Sequence, residues 1–503
     1  MKSLRWAFSL TTLLFGVAIM LFFALAYPHH LHFQEQYQLF LFEQGYVCDV
    51  LSMPGGVADL AGRFLTQFFL YAWVGATLIA LVLVGVQLLT YCLLRTTSGK
   101  EQPNALEILP YALSFVPALL CCCFLCDENA LMSAPVALLI VLAMAWAVRS
   151  LRHGAMRQVL GVVSLPVIYM LAGAFVLPYA LMLIIDEVRH ERSLRVLVVA
   201  VILLIVALSL PAAWHQSVHY SMQRLYAGPH FYRIPDEFAV WAWSAVCAVP
   251  LLLLLPKKLR QWAPRRALVP FLFCWLAVML GGGILVNNLQ NQKRESIMAY
   301  DFMARNALWN RIIQKAQRNA PRNQVGAVAL NLALSQRGML ADHLFDFPQH
   351  GVAGLLPNFA NDYVSPLVTS EAFYRLGLIN TAQCFVFEAQ EAIPDFQKSG
   401  RCYKRLAETN LINGSYGVAR KYLLALQHTW YYRTWATETL ALIEDDAAVN
   451  AHPEYGALRR MRCAEDYFFG GNTIQQILVR QLESCPENRT AEEYLQAVIK
   501  FNK

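Results

Sequence analysis

Between residues 28 and 63 the chain carries His29, His30, His32, Glu35, Glu43, Asp49, Asp59 and Arg63. On a helix, His32 and Glu35 stand three residues apart and share a face. An imidazole beside a carboxylate can hold a divalent ion or act as an acid–base pair. The same residues would equally form the polar face of an interfacial amphipathic helix, with Phe33 and Tyr37 at the headgroup boundary. Asp59 and Arg63, four apart, predict a surface ion pair at the mouth of the following helix. Pro54-Gly55-Gly56 predicts a tight turn, and no phosphate-binding pattern follows it to make it a cradle. A second stretch, 214–237, holds His215, His219, Tyr220, Arg224, Tyr226, His230, Tyr232 and Arg233 and ends in Asp236 and Glu237. Arg224 and Arg233 could take the phosphate of an anionic lipid-linked substrate, or belong to an aromatic and basic belt at a membrane surface.

The elements that must position these residues are apolar. Runs at 6–34, 64–94, 108–126, 129–148, 158–185, 196–223, 238–256 and 267–292 contain no Asp, Glu, Lys or Arg. About 20 apolar residues cross the hydrocarbon core as a helix, and backbone in lipid must satisfy its own hydrogen bonds. The chain is 57% hydrophobic and 15% charged. We therefore expect an all-α protein: a polytopic transmembrane bundle over 1–292, with seven or eight membrane runs and an outer segment 28–63, then a soluble domain over 293–503.

Loop charge sets the expected topology, because basic loops stay on the cytoplasmic side. If every run crosses once, basic residues divide evenly between the two sides. If 158–185 enters and returns, the loops on the inner side hold 15 Lys and Arg against 3 outside. Pro166 and Pro178 are the expected breaks in that run. The reading is then seven crossings, one re-entrant element and a tail on the outer face. The alternative is one long, kinked helix. Lys2 and Arg5 precede a first run ending Ala24-Leu25-Ala26. It reads as an uncleaved membrane helix, with a signal peptide as the alternative. Cys121, Cys122, Cys123 and Cys126 read as small core residues, or alternatively as a buried soft-metal site.

From residue 293 onward 23 Lys and Arg nearly balance 21 Asp and Glu, and no basic stripe with interleaved aromatics points to nucleic acid. Helical periods dominate. Gly377, Ala382, Val386, Ala389 and Pro394 fit the second half of a tetratricopeptide unit. Tyr403, Leu406, Ala407, Gly414, Tyr416, Ala419 and Leu423 fit again about 37 residues later. Trp309, Ile313, Ala316 and Pro321 share the frame, and 482–494 fits loosely. A tetratricopeptide-like α-solenoid is expected, with an irregular helical bundle as the alternative; such arrays present concave binding surfaces. No nucleophile, zinc-protease or P-loop motif occurs in the tail.

The strings Phe33-Gln-Glu-Gln-Tyr-Gln-Leu-Phe-Leu-Phe42, 54–69 and 405–423 resemble a family of uncharacterised membrane proteins from Bacteroidota. That resemblance implies a Gram-negative inner membrane and a helical-repeat tail, and brings no activity. A weaker likeness is to the GT-C class of glycosyltransferases, whose first outer loop bears an acidic residue; Glu35, Glu43, Asp49 or Asp59 would hold that place, though no acidic pair occurs in 28–63. The leading expectation is an envelope protein anchored in the inner membrane, with a periplasmic tail binding a protein or peptide partner, the lipid bilayer as its other partner, and no cofactor. The alternative is a GT-C-like transferase using a polyprenyl-linked sugar, with Glu35, Asp59 and His32 as catalytic candidates. His32 and Glu35 would then be candidate ligands of a divalent metal, and Arg224 and Arg233 would meet the phosphate.

Overall fold

The computed structural model describes residues 2–95, 107–151, 153–190, 193–218, 220–228, 231–234, 237–260, 262, 267–357, 364–394, 397–463, 466 and 473–502. Lys100, Arg152, Arg192, His219, His230, Asp236, Arg265 and Arg266, which figured in the sequence reading, lie outside them. The described residues are helical and form no strand. The chain separates into two compact units. Residues 1–35 and 44–291 form the first, and residues 36–43 with 292–503 the second. The expectation that 28–63 belongs whole to the membrane half is corrected: its middle eight residues fold with the tail.

In the first unit α1 (Lys2–Leu21) runs on into a π turn, Phe22–Ala26. Three short helices follow, α2 (Pro28–Gln36), α3 (Gln44–Leu51) and α4 (Gly56–Thr66), before the long α5 (Ala72–Leu94). Then come α6 (Ile108–Leu113), α7 (Phe115–Leu125), α8 (Ser133–Arg149), α9 (Gly154–Ala172), α10 (Val176–His190), α11 (Leu194–Trp214), α12 (Met222–Ala227), α13 (Val240–Leu253), α14 (Lys257–Arg260) and α15 (Leu268–Leu289). Every expected apolar run is helical over most of its length. By length and composition, six helical stretches among the described residues can cross a membrane. Two further apolar helices, α8 and α13, are shorter.

The core holds α5 against α1, α7 and α8. Phe8 stacks on Tyr111 with centroids 3.7 Å apart, and Phe271 and Phe115 close around them. A buried chain of polar groups specifies the register: Thr12 Oγ1 donates to Gln87 Oε1 at 3.1 Å, and Gln87 Nε2 to Ser114 Oγ at 2.8 Å. Such bonds join helices where lipid gives no hydrophobic incentive to associate. The outward faces of α11 and α15 are the reverse, with Leu197, Ile205, Val269, Phe273 and Ile284 all exposed, as lipid-facing surfaces must be.

The run 158–185 folds into a helical hairpin. Gln158 Nε2 donates to Glu187 Oε2 at 3.1 Å, Arg157 bonds the same carboxylate, and Ser164 Oγ meets Tyr179 OH at 2.7 Å. The two ends of the run thus lie side by side. The break is at Gly173 (φ 59°), not at the prolines. Pro166 stays inside α9, and Pro178 sits in the first turn of α10, where no amide is needed for the ladder. The left-handed turn is open to glycine at no steric cost.

The second unit comprises α16 (Gln292–Arg305), α17 (Trp309–Arg318), α18 (Gln324–Ser335), α19 (Leu340–His343), α20 (Ser365–Leu376), α21 (Ile379–Glu391), α22 (Gly400–Ile412), α23 (Tyr416–Gln427), α24 (Arg433–Leu442), α25 (Asp446–Ala451), α26 (Tyr455–Met461), α27 (Ile474–Ser484) and α28 (Arg489–Phe501). Helices α20 to α24 pack in sequence, each on the next. Ala382, Ala389, Ala407 and Ala419 are fully buried where these helices approach, with Val386, Leu406 and Leu423 filling the gaps. The C-terminal pair α27–α28 turns back onto the earlier helices. Gln481 Nε2 and Asn488 Nδ2 both donate to Leu376 O at 2.9 Å, and Gln336 Nε2 donates to Thr490 Oγ1 at 3.0 Å.

Gly377 (φ 79°) and Gly414 (φ 77°) occupy equivalent hairpin turns. A Cβ at Gly377 would lie 2.7 Å from Met461 O, whereas one at Gly414 would meet open space. Gly414→Ala is expected to cost only the left-handed penalty, about 1–2 kcal/mol. Gly377→Ala adds overpacking and should cost about 2–4 kcal/mol. Limited proteolysis of the tail during thermal melts of the full chain in detergent measures this; equal losses from both variants would sink the assignment.

Candidate functional site

The two stretches singled out in the sequence meet at one end of the first unit. Helix α2 lies over the 127–132 turn: Gln34 Nε2 donates to Ala130 O at 3.0 Å. The loop after α12 closes on the same turn, with Leu131 N donating to Phe231 O at 3.2 Å, Arg233 N to Asn129 O at 2.9 Å and Tyr232 OH to Asp127 Oδ2 at 2.7 Å. The Pro54-Gly55-Gly56 turn seats on the tip of the α9–α10 hairpin, where Gly55 N donates to Tyr169 O at 3.0 Å. Its glycines serve close packing: a Cβ on Gly55 would lie 3.2 Å from Gly173 N.

Each candidate residue has a place in this packing. His32 is buried, with Nδ1 3.2 Å from Phe69 O, and its ring lies 5.8 Å from that of His29. Glu35 is buried at the end of the same helix. Asp59 bonds Arg63 at 2.8 Å, but the expected surface pair is in fact buried, and Arg63 also donates to Tyr46 OH at 3.4 Å. Burial alone would lower the Arg63 pKa; Asp59 and Tyr46 outweigh it and hold the guanidinium charged. Burial pushes the Tyr46 hydroxyl up. Glu43 and Asp49 are exposed. Arg224 stacks on Tyr220 at 4.4 Å, and Arg233 is fully buried, its guanidinium 5.5 Å over the Phe33 ring. So Arg233 packs beneath α2. Among the described residues no three His, Cys, Asp or Glu converge as metal ligands. Cys121, Cys122, Cys123 and Cys126 are free and buried.

An enzyme would be expected to hold a sizeable, partly polar cavity here. The crevice between Pro54, Gly55, Gly173, Ala174, Tyr220, Leu225, Gly228 and Phe231 has room for about one water molecule.

His30 is fully buried, and burial, with Arg233 nearby, lowers its pKa to about 3. The unfolded chain binds the proton first, at the ordinary value of 6.5. Stability from the neutral ring is therefore complete above pH 6.5 and is lost as pH falls toward 3. We expect His30→Gln to flatten the fall in melting temperature across that window. A variant that tracks the wild type through it would refute a buried neutral His30.

The second unit contains an arrangement that the sequence reading missed. After the turn at Tyr37, residues 38–43 belong to no helix. Leu39 N donates to Lys398 O at 3.1 Å, and Phe42 N donates to His428 O at 2.7 Å. Leu39 is buried with the core of the helical array, and Phe42 faces Trp430 with centroids 5.8 Å apart. At the start of the segment Gln36 Oε1 accepts from Arg401 Nη1 at 2.9 Å, and the same nitrogen donates to both Asp301 oxygens at 2.8 Å. The cluster continues on α22 and α20. Arg405 donates to Glu371 at 2.7 Å and pairs with Glu408 at 2.9 Å, its guanidinium 3.6 Å over the Tyr374 ring. Burial raises the Glu371 carboxyl, but Arg405, Arg401 and Arg375 outweigh it and its pKa lies below the ordinary value. At Glu408 burial wins and the pKa is raised. Two signals could have revealed this. The alternation Gln36-Tyr37-Gln38-Leu39 has a strand's period, and Arg401, Arg405 and Glu408 share one face of a helix that otherwise reads as repeat core.

Removing one partner of a buried charge pair strands the other, a loss of about 3–5 kcal/mol. We expect Arg401→Met to unfold the second unit at lower temperature and to free residues 36–43 for proteolysis. A variant with unchanged protection of that segment would contradict the role given to Arg401.

Searches among curated proteins and among solved structures find no match to this chain. Residues 2–499 match a family of unknown function (DUF6057), and the chain belongs to that family.

Proposed function

We propose that the protein is an inner-membrane-anchored helical-repeat protein of a Gram-negative cell envelope, whose tail binds a protein or peptide partner. One observation carries this: the helical array already holds a non-helical segment, 38–43, through main-chain bonds at Leu39 and Phe42, with a side-chain bond at Gln36 where α2 ends. Main-chain recognition of this sort takes an extended chain with little demand on its sequence. The turn glycines at 377 and 414, with small residues lining the hairpin contacts, support a tetratricopeptide-like array, the architecture of many peptide-binding surfaces.

The same segment supports a location for the tail. Residues 36–43 come after the first membrane helix, and 292–503 after the last, yet they fold as one unit. They must share one side of the membrane. An even number of crossings must therefore separate them. A hairpin at 154–190 satisfies this, since α5, α6–α7, α8, α11, α13 and α15 remain. With basic loops retained inside, that shared side is the periplasm. The geometry adds no support to the glycosyltransferase reading: Asp59 is engaged by Arg63 and Glu35 is buried, while Glu43 and Asp49 are exposed with no cavity described beside them.

A photo-reactive residue at the exposed Trp430 position, beside the held segment, tests the binding function in living cells. The expected result is a discrete cross-linked adduct with another protein, in addition to cross-linking within the chain. Adducts within the chain alone would argue against a partner. For topology, phosphatase fusions at residue 49 and at the C-terminus should both be active, as should impermeant thiol labelling of exposed Cys48; activity at only one fusion overturns the shared side.

A further inference from the structure

The opposite end of the first unit gathers arginines. Arg149 donates to Leu93 O and, at 2.9 Å, to Arg95 O, capping the last carbonyls of α5, and lies 3.3 Å from Asp186. One turn further along α10, Arg189 Nη2 donates to Leu255 O at 3.0 Å, just past the end of α13. Glu187 is already held by Arg157 and Gln158. Into this group comes Arg260 from α14. It is only 7% exposed, and its buried Nε has no hydrogen-bond partner among the described residues.

A desolvated guanidinium is stable only when its charge and donors are met. Here the neighbours make matters worse. Burial first, then Arg189 and Arg149, lower the Arg260 pKa to about 10, and Glu107 and Asp186 offset this only in part. Asp186 and Glu187 already serve Arg149 and Arg157, and backbone carbonyls carry no full charge. What suits the position is an anion with several acceptor oxygens, able to take the planar fork of donors that arginine presents. The site also lies at the C-terminal ends of the apolar helices α5 and α13, on the side that collects the chain's basic loops.

We propose that Arg260, with Arg189 and Arg149 beside it, is a binding site for a phosphate-bearing anion, supplied by an anionic lipid headgroup or as free phosphate. Arg260 makes the defining contact, and Arg189 and Arg149 add charge while holding the ends of α13 and α5.

The test uses the full chain in nanodiscs of phosphatidylcholine alone, or of phosphatidylcholine with phosphatidylglycerol. A third arm adds inorganic phosphate to the first, with chloride at equal ionic strength as its control. Thermal melts are read by tryptophan fluorescence, and retained lipid by native mass spectrometry. For the wild type, either phosphatidylglycerol or phosphate raises the melting temperature by several degrees over its control. A response to phosphatidylglycerol with the lipid retained names the headgroup as the source; a response to phosphate alone names the free anion. Arg260→Met loses the response and retains about tenfold less of the anion, yet melts no lower than the wild type in phosphatidylcholine, because it removes an unmet charge. If Arg260→Met fails to fold, Arg260→Lys keeps the charge without the fork: weaker retention supports the site, unchanged retention overturns it. A wild type indifferent to both anions, or an Arg260→Met that responds like the wild type, also overturns it.

Discussion

The structure depends most on the capture of residues 36–43 by the helical tail. Arg401 bonds Gln36 and Asp301 together, and Leu39 enters the same apolar core that holds Ala407 and Leu411. The segment is covalently framed by the first and second membrane runs. Its place in the second unit therefore constrains the whole chain, which passes between units three times, at 35–36, 43–44 and 291–292. A buried arginine shared between a carboxylate and an amide oxygen suits this role. It is costly unless every partner is present, so it favours one register over its neighbours.

That constraint and the loop charge separately support the proposed topology. Charge alone prefers an entering and returning 158–185. The fold of residues 36–43 with the tail requires an even number of crossings between them. The α9–α10 hairpin supplies the geometry, with Ser164 facing Tyr179 and Gln158 facing Glu187. None of the three observations uses the others as a premise.

The helices and their lipid-facing surfaces were legible because apolar length and charge-free runs are local properties. The turn glycines at 377 and 414 were legible for the same reason, since a left-handed turn residue leaves a mark in the sequence. What was not legible came from distant pairings. Arg401 with Asp301, and Arg405 with Glu371, join helices far apart in the chain, and nothing near Arg401 announces its partner. Asp59 and Arg63 were paired correctly but placed on the surface, because spacing says nothing about what packs over the pair. The break in 158–185 was assigned to Pro166 and Pro178. Glycine made it instead, since proline tolerates the first turn of a helix and can remain within a kinked one.

The two ends of the first unit treat polar groups in opposite ways, and the difference has one physical origin. At the end that carries α2, groups are neutralised: His30 loses its proton to burial, and Asp59 is matched to Arg63. At the other end the charges are kept. Helices α5 and α13 both finish there, and their last turns present carbonyl oxygens at the negative pole of the helix dipole. Arg149 binds Leu93 O in the last turn of α5 and Arg95 O beyond it, and Arg189 binds Leu255 O just past α13. A carbonyl satisfies an arginine's donors but leaves most of its charge uncompensated. Basic residues that cap helix ends therefore add positive potential at that surface, which the pairs with Asp186 and Glu187 offset only in part. The charge bias that orients such a chain in a membrane is thus also the means by which its helices end, and it leaves that surface selective for anions.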